Sequence, residues 1–173
     1  MRITYYAAAS IDGFIVRTDG SVDWLPQPEQ GGKDYGYTTF YQSVDALVMG
    51  RVTYEQVLSF GDWPYPDKTV FVLANRSLTK ERDDVKIVAT IDQLIDELNQ
   101  SGYKHIWLVG GGKIASTFLQ AGLLDEMIVS YIPVALGSGI SLFSEPAAET
   151  EMEIISSVDY PDGVVQITYR IKP

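Results

Sequence analysis

His105-Ile106-Trp107-Leu108-Val109-Gly110-Gly111-Gly112-Lys113-Ile114-Ala115-Ser116-Thr117-Phe118-Leu119-Gln120 is the stretch whose reading decides the fold class. Its first five residues form a short apolar run of the kind that makes a buried strand, and Ile114 to Gln120 repeats its apolar residues at helical spacing. Three glycines and a lysine stand between them. A strand that ends in glycines lets a ligand come close to bare backbone. The helix beginning there turns its unpaired N–H groups, and the positive end of its dipole, toward the same gap. Phosphate is the usual occupant of such a place. One glycine would satisfy a tight strand–helix turn; three followed by a cation favour a ligand.

Working outward, Arg2 to Ala9 reads as a first strand. Residues 10–32 read as a loop with Asp12-Gly13, Asp19-Gly20 and two prolines, around a short extended piece at Phe14-Ile15-Val16. Lys33 to Ser43 predicts a helix and Ala46 to Met49 an apolar strand. Thr53 predicts the cap of a helix reaching Ser59, in a capping box with Gln56. Strands follow at Thr69–Leu73 and Lys86–Val88. A second capping box, Thr90 with Gln93, opens a helix that closes at Gly102. After the glycine turn, Glu126–Pro133 predicts a strand and Ala135–Phe143 a loop. The tail alternates in strand fashion over Glu151–Val158 and Val164–Ile171, joined by the turn Tyr160-Pro161-Asp162-Gly163. Strands alternating with helices and a final hairpin mean an α/β fold, a mostly parallel sheet with an antiparallel edge, in one domain over residues 1–173.

Composition narrows the function. A net charge of −10, with only 13 cations and no basic stripe, argues against a nucleic-acid partner. The chain has no run near the ~20 apolar residues of a membrane span and no signal-peptide layout, so a cytoplasmic protein is expected. It has no cysteine and one histidine, which excludes thiolate chemistry and leaves no ordinary zinc site. His105, at the start of a strand, reads as a strand-edge residue.

In an acidic chain the position of each cation carries weight. The strand at Ala46–Met49 runs into Gly50-Arg51-Val52-Thr53, and the strand at Thr69–Leu73 ends in Ala74-Asn75-Arg76-Ser77. Together with Gly110, Gly111, Gly112, Lys113 and Ile114, these make three strand ends suited to one polyphosphate, since ligands of open α/β sheets settle at the carboxyl ends of strands. The dinucleotide fingerprint is matched in letters by Gly110 to Ala115. The acid expected about 20 residues on is missing, with Ser130 and Tyr131 in its place. Missing that acid and having arginines, the chain favours a 2′-phosphorylated nicotinamide cofactor. Candidates facing a second substrate are Asp12, which a turn alone would explain, Trp24 as an apolar wall, and Asp34. Asp34 is read either as a carboxylate facing a pyrimidine or pterin ring or as an acid stabilising a helix dipole.

Three motifs carry a resemblance: Ala8-Ala9-Ser10-Ile11-Asp12-Gly13-Phe14-Ile15, Val48-Met49-Gly50-Arg51-Val52-Thr53-Tyr54-Glu55 and Val109-Gly110-Gly111-Gly112-Lys113. They are similar to dihydrofolate reductase. With Ile132-Pro133-Val134-Ala135-Leu136-Gly137-Ser138-Gly139-Ile140-Ser141-Leu142-Phe143 the match is closer still to the C-terminal reductase domain of the bifunctional riboflavin-biosynthesis deaminase-reductase. The resemblance implies a three-layer dihydrofolate reductase-like fold and an NADPH-dependent reductase. In it Arg51, Asn75, Arg76 and Lys113 surround the 2′-phosphate, Thr53 and Gly111 to Ile114 hold the pyrophosphate, and Ala8 and Ile15 contact the nicotinamide. Gly50, Leu73 and Gly110 complete the cofactor-binding set. Asp34 lies near the substrate carboxylate of dihydrofolate reductase, and Val16–Trp24 maps to a closing loop. The small-molecule substrate implied is a ribosylaminopyrimidine; the alternatives are a pterin, or NADPH sensing without turnover. A homodimer is implied as well. The deaminase half, with its zinc signature, is absent.

Overall fold

The computed structural model describes residues 1–26, 33–75, 78, 82–144 and 149–172. In chain order the elements are β1 (Arg2–Ser10), β2 (Phe14–Val16), α1 (Tyr37–Ser43), β3 (Ala46–Gly50), α2 (Arg51–Ser59), β4 (Thr69–Leu73), β5 (Val85–Val88), α3 (Ile91–Gln100), β6 (His105–Gly110), α4 (Gly112–Gln120), β7 (Glu126–Ile132), β8 (Ile140–Ser141), β9 (Met152–Asp159) and β10 (Val165–Ile171).

Eight strands form one sheet in the order β5-β4-β3-β6-β1-β7-β10-β9. From β5 to β7 every neighbour is parallel; β10 and β9 join antiparallel. The parallel strands are apolar on both faces because helices cover both. On one face α1 and α2 bury Phe40, Tyr54 and Val57 against Leu47, Met49, Val70, Val72 and Trp107. On the other, α3 and α4 bury Leu94, Leu98, Ile114 and Phe118 against Val48, Phe71, Ile106 and Leu108. A three-layer arrangement results, as the resemblance implied. The small β2–β8 pair stands apart; β8 falls inside a stretch read from sequence as loop.

The amino ends of the strands are tied by polar bonds. Asp45 Oδ2 accepts from the backbone N–H of Lys104 at 2.7 Å and of His105 at 2.9 Å. His105 Nδ1 lies 3.1 Å from the Arg2 guanidinium and 3.2 Å from the Ser43 carbonyl oxygen, and Nε2 lies 2.9 Å from the buried Thr4 hydroxyl. Burial, and then Arg2, hold the imidazole below its ordinary pKa. His105 is therefore a structural strand-edge residue at the end of β6 remote from the glycines.

Three helix starts differ from expectation, each for a local reason. α1 begins at Tyr37 rather than Lys33, because Tyr35 and Gly36 sit at φ 50° and 80°, left-handed geometry that no helix can include. α2 begins at Arg51, directly after β3, so Thr53 is inside its first turn and forms no capping box. α4 begins at Gly112, two residues before Ile114. α3 matches expectation: Thr90 Oγ1 accepts from Gln93 N–H, and Gln93 Oε1 accepts from Ala89 N–H. Gly102, just past it, takes the left-handed φ of 72° that stops a helix.

Candidate functional site

β3 passes through α2 to β4 on one side, while β6 passes through α4 across β1 to β7 on the other. α2 lies on one face of the sheet and α4 on the opposite face. The two connections part between β3 and β6, which are neighbours, and this makes the gap at their carboxyl ends the topological switch point of the sheet.

The strand ends named from sequence converge there. Gly50 pairs with Leu73 across β3 and β4, and Met49 pairs with Gly110 across β3 and β6. Asn75 lies two residues beyond Leu73. A Cβ placed on Gly50 would lie 4.0 Å from Ile114 Cβ, and one on Gly111 would lie 3.6 Å from Thr53 Oγ1 and 3.7 Å from Ile15 Cδ1. Thus Gly50, Thr53, Ile15, Gly111 and Ile114 share one locality, while Ala8 on β1 pairs with Ser130 of β7. Two glycines are required locally, Gly110 by its positive φ and Gly112 by a neighbour. Gly110, at φ 117°, lies against the Tyr5 ring, and a side chain on Gly112 would collide with the Ser141 carbonyl oxygen. The Gly110–Gly111 peptide is cis.

The helix starts on either side of the gap share a pattern that differs from α1, also glycine-started and without an acid in its first turn, in the extended cap and the cation. α2 and α4 are each capped by a glycine in extended conformation, with no side-chain cap and no acid in the first turn. Each instead carries a cation there, Arg51 or Lys113. α3, away from the gap, has both Thr90 as cap and Asp92 in its first turn. A cation at a helix N-terminus opposes the dipole; the arrangement becomes favourable when an anion lies between. Lys113 is exposed and has no partner among the described residues. Arg51 Nη1 is paired with Glu55 Oε1 at 2.7 Å on the exposed helix surface. Arg76 lies outside the described residues.

The residues named for a second substrate each have their own surroundings. Asp34 is exposed, and its Oδ1 accepts from Thr38 N–H at 2.9 Å, holding the start of α1. Asp12 is a latch: Oδ1 accepts from Ser10 Oγ at 2.6 Å and Leu136 N–H at 3.0 Å, and Oδ2 from Gly137 N–H at 2.7 Å. These bonds, that from Ser10 foremost, bring its carboxyl down to about 2. The Trp24 indole N–H is buried without a partner among the described residues. Its loop is fastened by Arg17 to Asp23 at 2.6 Å and by the Gln56 amide to the Gly20 carbonyl.

Sequence reasoning passed over Tyr5, which underlies Gly110 and donates to the Leu142 carbonyl at 3.1 Å. It also passed over Gln166, whose amide bonds Ser130 at 2.9 Å. The sequence carried no signal for Gln166, which falls in the polar phase of the alternation with Thr168 and Arg170. A depression of about 430 Å³ lined by Ile91, Asp92, Ile95, Asp96, Ala121 and Leu123 includes none of these residues. No helix among the described residues is long and apolar enough to cross a membrane.

Comparison with known proteins adds to this geometry. Residues 64–166 match the model of the RibD C-terminal domain. The chain is 37% identical over 161 residues to the uncharacterized protein YwjB of Bacillus subtilis, with 92% of each chain covered. A crystal structure from Shewanella sp. PV-4, of a protein provisionally assigned to riboflavin biosynthesis, is 35% identical and superimposes with a TM-score of 0.89 over the whole of both chains. RibD of Acinetobacter baumannii superimposes with a TM-score of 0.75 at 15% identity, over 99% of this chain and 58% of that one. That likeness concerns the fold, and with the observed topology it establishes the dihydrofolate reductase-like class.

Proposed function

The chain belongs to the RibD C-terminal domain family, and from that membership and the gap between β3 and β6 we propose an NADPH-dependent reductase of the riboflavin-biosynthesis type. One observation carries the reading. Two uncapped helix starts, each bearing a cation where a helix disfavours one, flank the switch point of the sheet. A phosphorylated dinucleotide resolves that conflict: it takes the free N–H groups of α2 and α4 and neutralises Arg51 and Lys113. In this sense the residues present fit the cofactor.

Thr53 and the backbone of Gly111 to Ile114 would hold the pyrophosphate. Arg51, Asn75, Arg76 and Lys113 would hold the 2′-phosphate, with Leu73 and Gly50 lining the approach. Ala8 and Ile15 would border the nicotinamide, which supplies a hydride from C4 when bound. The chain's own work is to position and to exclude water. Tyr5, locked under Gly110, fixes the floor; Asp12 ties Leu136 and Gly137 to the end of β1 and keeps that wall closed.

The substrate proposed is a ribosylaminopyrimidine. Asp34 spends an oxygen on Thr38 at the exposed start of α1, which favours a pyrimidine over a pterin that needs a carboxylate against its ring. We also read the chain as a cytoplasmic homodimer. Edge strand β9 leaves Ile154 at 60% and Val158 at 44% exposure, a surface that a second copy would cover.

The test titrates NADPH and NADH separately, then follows nicotinamide absorbance with 5-amino-6-(5-phosphoribosylamino)uracil and with dihydrofolate. Tighter NADPH binding and turnover of the uracil are expected. Equal affinity for both cofactors would remove the role given to the cations, and binding without turnover would identify a sensor.

A further inference from the structure

β2 and β8 are three and two residues long and form a two-stranded sheet of their own. A pair of that size does not hold itself in water, so its place must be fixed from outside. The fixing falls on residues 140–144, which lead out of β8 across the start of α4. Leu142 is tied by both backbone groups. Its N–H donates to the Gly13 carbonyl at 2.8 Å, just ahead of β2, and its carbonyl accepts from the Tyr5 hydroxyl at 3.1 Å. Phe143 meets the Tyr5 ring edge-on, with centroids 5.7 Å apart. Ser144 is tied in the same way to α4: its N–H donates to the Gly112 carbonyl at 3.2 Å, and its carbonyl accepts from the Ser116 hydroxyl at 2.6 Å.

The partner of Ser116 is informative. A serine inside a helix often turns its hydroxyl back on the carbonyl four residues earlier. Thr117 does so, donating to the Lys113 carbonyl at 2.9 Å on the exposed side of α4. Ser116 is 4% exposed, and although the Gly112 carbonyl lies 3.0 Å from its Oγ, the nearer acceptor is Ser144. Alanine would suit the helix better; the hydroxyl is useful for what it reaches.

The other end of this connection is Ile15, the middle residue of β2. Its Cδ1 lies 3.7 Å from where Gly111 would carry a Cβ, so β2 rests on the glycine turn. The two touch directly there and are joined a second time through 140–144.

We propose that Ser116 is a positioning residue: acting through 140–144, with the Tyr5 hydroxyl as a second tether, it holds Ile15 against Gly111. The inference deepens the function proposed above and rests on it for the nicotinamide that Ile15 would border. Breaking either tether frees β2 and leaves α2, Arg51 and the end of β4 as they are. The nicotinamide end of the site loosens while the adenosine end keeps its shape.

The experiment compares the full-length wild type with Ser116→Ala, Tyr5→Phe and the double variant, with unfolding midpoints measured in parallel. Calorimetric titration uses NADPH and adenosine 2′,5′-bisphosphate, which has the phosphorylated adenosine and no nicotinamide. Loss of one hydrogen bond at either tether should raise the Kd for NADPH about fivefold and leave that for the bisphosphate unchanged. A merely structural role would not divide the two ligands in this way. Because both residues act through one segment, the double variant should stay near fivefold; a rise of about 25-fold, the product for independent sites, overturns the proposal. Equal weakening of both ligands, or unchanged NADPH affinity in a folded variant, overturns it too. If S116A fails to fold, Y5F, which keeps the ring under Gly110, carries the test. Amide hydrogen exchange without cofactor separates this inference from the reductase reading. In S116A exchange should quicken at residues 13–16, at Leu142 and at Ser144, and stay as in wild type along β6. A change confined to Ser144 refutes the tether. The full pattern in a chain that binds no NADPH defeats the reductase reading and leaves the tether standing.

Discussion

Arg51→Ala probes the gap where cofactor choice would be made. In the free protein the guanidinium is held by Glu55 at 2.7 Å, and both side chains are about two-fifths exposed, at 39% and 45%. An exposed pair of this spacing contributes about 0.3–0.5 kcal/mol, which binding must give up. A charged hydrogen bond to phosphate returns about 1.5–3 kcal/mol. The net, about 1–2.5 kcal/mol, corresponds to a rise of about 5- to 70-fold in the Kd for NADPH on removing Arg51. NADH lacks the 2′-phosphate, so its Kd should not move. Glu55→Gln releases Arg51 in advance and should tighten NADPH by up to about twofold. Calorimetric titration of both cofactors against the three proteins at low salt, then at high salt, measures all of this; screening should shrink the effect. Equal weakening of NADPH and NADH in R51A, or none of either, would refute the assignment of Arg51 to the 2′-phosphate.

Three further expectations concern stability. Gly112→Ala drives a methyl group into the Ser141 carbonyl and should cost about 1–3 kcal/mol in urea denaturation, as overpacking usually does. Thr90→Ala removes the cap of α3 and should cost about 1 kcal/mol, whereas Thr53→Ala, which caps nothing, should leave the urea midpoint almost unchanged. Asp12 titrates at about 2 in the folded chain against 3.8 ordinarily. Its depressed pKa means that the folded state binds fewer protons in this range. The latch therefore contributes fully above pH 3.8 and is lost as pH falls through about 2. Asp12→Asn should flatten that part of the stability–pH curve, as followed by circular dichroism.

The fold could be read from the chain because its strands are apolar runs bounded by glycines and caps. Ala46–Met49, Thr69–Leu73 and His105–Val109 stand within one residue of their observed limits. Capping chemistry was reliable where a side chain does the capping, as at Thr90, and misleading where glycine does it. A strand that passes into a helix with no intervening loop leaves Thr53 in the first turn, although its letters spell a cap. Convergence of Gly50, Leu73 and Gly110 was legible because sheet topology directs carboxyl ends to one side. The latch of Asp12, the support from Tyr5 and the Gln166 cluster were not. Each depends on contacts between residues more than 100 positions apart, Asp12 with Leu136, Tyr5 with Leu142 and Gln166 with Tyr35, which no local pattern encodes. Of the two readings given for Asp34, the helix-start acid has a contact to match it, Oδ1 accepting from Thr38 N–H at 2.9 Å.

Amide chemical-shift mapping during an NADPH titration bears most directly on the gap between β3 and β6. The largest changes should fall on the N–H groups of Gly50 to Thr53 and Gly111 to Ile114, with Ala8 and Ile15 following as the nicotinamide end settles. Changes concentrated instead on the first turn of α3, where Thr90 and Asp92 already satisfy the helix, or spread without focus over the surface, would contradict the site described above.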